Sequence, residues 1–71
     1  MKCVRREREA RQWSRSELAR RAGMANSTIG AIESGRLNPY PSQLHKIARA
    51  LKYSGEPETL LDEVGADGSI R

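Results

Sequence analysis

Apolar residues fall along the chain in short groups at helical spacing, with Gly and Pro marking the breaks between them. Leu44, Ile47, Ala48 and Leu51 follow the i, i+3, i+4, i+7 pattern of one buried helical stripe. Pro41 suits the first position of that helix, where its missing N–H would find no partner anyway. Upstream, Ser14 has the character of an N-cap, with Glu17 three residues later to close a capping box and Trp13 before it to pack on Leu18. The helix that follows presents Leu18, Ala19 and Ala22 on one face and ends at Gly23, where a left-handed backbone carries no steric penalty. Ile29 and Ile32 come next, on a helix predicted from Ala25 or Asn26 to Glu33 or Ser34 and ended by Gly35. Two helices joined by so short a turn form a helix-turn-helix.

Two weaker elements flank this unit. A strongly charged helix is predicted from about Lys2 to Arg11, with Val4 and Ala10 among its few apolar positions and Arg8 between them. After the linker Ser54-Gly55-Glu56, Pro57 opens a predicted short fifth helix carrying Leu60, Leu61 and Val64. The expectation is an all-α, compact five-helix domain over residues 1–64, with the helix-turn-helix at about 14–34 and a flexible C-terminal tail over 65–71. A chain of 71 residues has room for one small core and little room for an enzymatic cleft with its supporting shell.

Charge sharpens this picture. The total of 13 Lys/Arg against 9 Asp/Glu gives +4, unevenly spread. Residues 1–53 carry 12 Lys/Arg and 4 Asp/Glu, or +8, and residues 54–71 carry one Arg and 5 Asp/Glu, or −4. The basic portion is the natural contact surface for a polyanion. The plainer alternative is a solvated helix face laced with pairs such as Arg5/Glu9 and Glu7/Arg11, each four apart. The single cysteine, Cys3, excludes an internal disulfide and a multi-cysteine zinc site, as expected of a protein in a reducing cytosol. The N-terminus has no apolar stretch of signal-peptide type, and no window reads as a membrane span, so no membrane partner is expected.

The helix at Asn26–Ser34 carries the functional signal. At about 100° per residue, Asn26, Ser27, Gly30 and Ala31 share a polar or small face, while Ile29 and Ile32 share the opposite, apolar one. A surface helix usually places Lys, Glu and Arg on its solvent side. Here only Glu33 is charged, near the edge of that face. Short uncharged side chains let a backbone approach another surface, as entry into a major groove about 12 Å wide requires. Asn26 can donate to and accept from the edge of adenine, Ser27 tolerates several bases, and Ala31 can touch a thymine methyl. Thr28 or Ser27 can instead meet a phosphate at the helix N-terminus. A helix buried all round would also use small residues, but so short a chain holds no second apolar group to cover the polar face.

The run from Trp13-Ser14-Arg15-Ser16-Glu17-Leu18 through Ile32-Glu33-Ser34-Gly35, with Asn38-Pro39 and then Leu44, Ile47, Ala48, Ala50 and Leu51, resembles the Cro/phage-repressor (XRE-type) helix-turn-helix over roughly residues 4–53. The resemblance implies a lambda-repressor-like DNA-binding fold and a set of roles. Asn26, Ser27, Thr28 and Ala31 would read bases, and Arg15, Arg36 and Asn38 would contact phosphates. Arg8 and Glu33 would form a structural ion pair. Departures fall at Glu7, Ala25 and Lys52, where members of the family often carry an apolar residue, Ser or Thr, and Gly, and in the longer Ser54-to-Pro57 linker.

Other functions find less in the sequence. His45, the only histidine, lies beside Lys46 on a helical pattern and reads as a surface imidazole; Cys3 reads as part of a frayed end; Glu58, Asp62 and Glu63 read as a solvated face. No catalytic residue, metal site or cofactor is expected. The competing reading is a protein-interaction module, such as an antitoxin component or coactivator, with the acidic segment holding a protein partner. The expectation is a cytoplasmic, nucleoid-associated regulator of bacterial or phage type, a repressor that binds a double-stranded operator as a homodimer.

Overall fold

The computed structural model describes residues 1–65. Four α-helices run in order: α1, Cys3–Ala10; α2, Arg15–Ala22; α3, Asn26–Ser34; and α4, Pro41–Leu51. The predicted fifth helix is instead a 3-10 turn, Pro57–Leu61. Five residues are too few for an α-helical stripe, and local bonds favour the tighter winding. Thr59 donates from its N–H to Glu56 O at 2.9 Å and from its hydroxyl to the same carbonyl at 2.6 Å. The turn buries Leu60, and Val64 is buried beyond its end. The proposed tail lies, from residue 66 onward, outside the described residues.

Local chemistry explains the helix ends. Ser14 Oγ accepts from the Glu17 N–H at 3.0 Å, which satisfies one of the amides left open in the first turn of α2. The capping box is only half built. Glu17 turns its carboxylate to Arg20 and Arg21 rather than back to the Ser14 amide. Gly23 closes α2 at φ +70°, the left-handed geometry that glycine accommodates freely. Lys52 closes α4 at φ +52°, without glycine's freedom.

The core joins Val4, Leu18, Ala19, Ala22, Ile29, Ile32, Leu44, Ile47, Ala48, Leu51, Leu60 and Val64, each 8% exposed or less. Two positions differ from expectation. Ala10 is exposed, and Cys3, placed by sequence at a frayed end, is 3% exposed. The reason is pairing across the whole chain: Cys3 N–H donates to Asp62 O at 2.7 Å, and Val64 N–H donates to Met1 O at 2.8 Å. One antiparallel bridge, Lys2 to Glu63, ties these segments together. Arg11 adds a second tie, donating to Leu51 O at 2.6 Å, where a cation meets the negative end of α4. No helix is long and apolar enough to cross a membrane among the described residues.

Candidate nucleic-acid interface

Two helix N-termini converge on one shallow concavity of about 610 Å³. Ser14, Arg15 and Ser16 bring the start of α2 to it, and Asn26, Ser27 and Gly30 bring the start of α3. Arg8 and Arg36 complete its lining. Asn26 and Ser27 are exposed. Ala25, at the N-cap of α3, offers no side-chain acceptor, and the first turn carries no acidic residue. The first amides of α3 thus have no side-chain cap, and the positive end of the helix dipole has no acidic residue in its first turn, an arrangement that favours anions.

A network of charged groups fixes this surface from below. Arg8 Nε and Nη2 donate to Glu33 Oε2 and Oε1 at 2.8 and 3.1 Å, the bidentate geometry of a strong ion pair. The third nitrogen, Nη1, donates to Trp13 O at 2.7 Å and so holds the loop that leads into α2. Glu33, its side chain only 2% exposed, also accepts from Arg15 Nε at 3.4 Å. Arg15 is thereby attached to α3 while its own side chain stays 55% exposed. Gly30 lies beside it: a Cβ there would stand in ordinary contact, 3.9 Å from both Arg15 Cδ and Nη1.

The remaining residues selected from sequence are placed differently. Thr28 is half-buried, and its N–H donates to Ala25 O at 3.1 Å. Ala31 is half-buried, and its carbonyl accepts from Arg36 and Leu37. Asn38 is exposed in the loop after α3, beside the buried Pro39. Neither Thr28, Ala31 nor Asn38 lines the concavity, whereas Ser14, Ser16 and Gly30 do. Ser14 stands out in sequence as a cap, and Gly30 as a member of the small face. Nothing local marks Ser16, because its position depends on how α2 crosses α3. Trp13 is half-buried against the core, and the Arg21 guanidinium lies 4.3 Å from its ring centroid, a cation–π contact that steadies the first turns of α2.

This architecture has relatives. The helix-turn-helix family HTH_3 matches residues 4–57. The chain belongs to the Cro/phage-repressor (XRE) type of helix-turn-helix family. An uncharacterized HTH-type transcriptional regulator of Methanothermobacter thermautotrophicus is 41% identical over 64 residues, covering 89% of this chain and 93% of the relative. No solved structure matches the chain. For this helix-turn-helix protein, α2 and α3 are the two helices of the motif, and the concavity lies between their N-termini. No group of three or more His, Cys, Asp or Glu side chains suited to a metal ion occurs among the described residues.

Proposed function

We propose that the protein is a sequence-specific regulator of transcription that binds a double-stranded operator by placing the start of α3 in the major groove. The observation that carries this reading is the outward face of that helix, exposed, uncharged and uncapped beside Arg15. Asn26 is the principal base reader, with Ser27 beside it and with Thr28 and Ala31 contributing at its flanks. Arg15, Arg36 and Asn38 hold the backbone, which sets register without selecting sequence. Arg36 supports this role: its Nε donates to Ser34 Oγ at 3.0 Å and it has no carboxylate partner among the described residues.

The regulatory action is repression, by occupancy of a site shared with the transcription machinery. The working unit is a homodimer, whose two recognition helices lie about 34 Å apart on a palindrome. The test is selection of bound duplexes from a random-sequence library at about 150 mM salt, where exposed charges are screened beyond about 8 Å. Enrichment of an inverted repeat with half-sites about one turn apart is the expected result. Recovery of no motif by folded protein would remove operator recognition and leave a protein-interaction role.

A further inference from the structure

A second cationic surface lies on the outer side of α4. That helix contains no Asp or Glu, and its inner stripe of Leu44, Ile47, Ala48 and Leu51 is buried. Its outer side carries His45, Lys46 and Arg49, followed by Lys52, all exposed. Every cation from Lys2 to Arg21 has a carboxylate within ion-pair distance, whereas Lys46, Arg49 and Lys52 have none among the described residues. Lys46 and Arg49 line a concavity of about 410 Å³ with Arg21, Ala22 and Gly23, at the C-terminal end of α2. It shares no residue with the concavity at the start of α3, which takes the N-terminal end of α2.

From this arrangement we infer that the outer face of α4 binds the phosphate backbone of a second DNA duplex, so that one protein bridges two segments of DNA. The inference rests on the DNA-binding reading for the first duplex. Charge complementarity selects the occupant. From His45 to Lys52 the helix rises about 10 Å, enough to face several phosphates of a duplex that carries one charge per about 1.7 Å of axis. A protein partner would need an apolar centre to its interface. The exposed large apolar residues among those described, Leu37 and Tyr40, lie in the loop before α4 and not on this stripe. DNA interfaces are more polar and more positive, as this one is. The contact assigned to these cations is to phosphates, which carry no sequence information, so it is steep in salt.

The test uses the whole protein and two duplexes, one bearing the selected operator and one of random sequence, with donor and acceptor dyes. Energy transfer between them on adding protein reads bridging, and anisotropy of the operator duplex alone reads binding at α3. The Lys46→Gln/Arg49→Gln double variant removes two exposed charges that hold no carboxylate partner among the described residues, and circular dichroism checks its fold. The expected result is bridging by the natural protein, about a tenfold weaker bridging response in the variant, and operator affinity unchanged within about twofold. No transfer with the natural protein, equal transfer with both, or an equal loss of operator affinity in the variant would each overturn the inference. Failure of operator binding by the natural protein would instead refute the DNA-binding reading itself.

Discussion

The cations of α1 and α2 and those that follow α3 are similar in sequence and opposite in circumstance. In the first region each is engaged: Arg5 with Glu9, Arg11 with Glu7, Arg8 with buried Glu33, and Arg20 and Arg21 with Glu17. In the second, Arg36, Lys46, Arg49 and Lys52 have no carboxylate partner among the described residues. Arg15 stands between the two cases, paired with Glu33 at 3.4 Å and still half in solvent. The lesson is that the +8 of residues 1–53 maps poorly onto the charge available to a polyanion. In α1 and α2 the positive groups mostly organise the fold, and beyond α3 they are open to a ligand.

The largest effect that separates the regions is structural. Glu33→Ala removes the bidentate partner of buried Arg8 and leaves it only Glu9, at 3.9 Å, and a loss of about 3–5 kcal/mol in urea unfolding is expected. Less than about 1 kcal/mol would show that this pair behaves like a surface one. Arg15→Ala tests the intermediate case. It should weaken binding to operator and random duplexes alike and flatten the salt dependence by about one unit, while unfolding changes by less than about 1 kcal/mol. An unchanged salt slope would remove Arg15 from the backbone contacts. On the α4 side, Lys52→Gly should stabilise by about 0.5 kcal/mol, since relief of the left-handed strain exceeds the backbone entropy of glycine. A destabilised variant would mean that the Lys52 side chain holds the fold together.

Acid should act on the first region. The carboxyl of Glu7 is pushed up by partial burial, but hydrogen bonds from Arg11 and Arg6 outweigh that and hold it below its ordinary value of 4.5. The Arg21 hydrogen bond likewise lowers Glu17 against a smaller opposing burial effect. A group depressed in the folded state contributes stability above its unfolded pKa and loses it as pH falls through the folded one. Stability should therefore decline below about pH 4.5, and Glu7→Gln should make that decline shallower. An identical decline in the variant would place the sensitivity elsewhere.

The sequence made the central unit legible because its signals are local. A cap at Ser14, a stop at Gly23, the pair Ile29 and Ile32, and the stripe from Leu44 to Leu51 each act within one or two turns. The closing segment was not legible for the complementary reason. Leu60 and Val64 look like a helical stripe, but Val64 is held by the backbone of Met1, and no local rule foresees a bond across 63 positions. The same contacts bury Cys3. At the candidate interface, Asn26, Ser27 and Arg15 came from helix phase and family resemblance. Ser16 and the Arg15–Gly30 contact depend on the crossing of two helices, which sequence spacing does not encode.

The measurement that bears most directly on base reading by α3 is the affinity of the natural protein and of Asn26→Ala for the selected operator and for a set of duplexes, each altered at one base pair. The expected result is a loss of about 1–3 kcal/mol on the operator in the Asn26→Ala variant, with discrimination relaxed at a single position and kept at the others. An equal loss on every duplex would make Asn26 a backbone contact and contradict base reading by the start of α3.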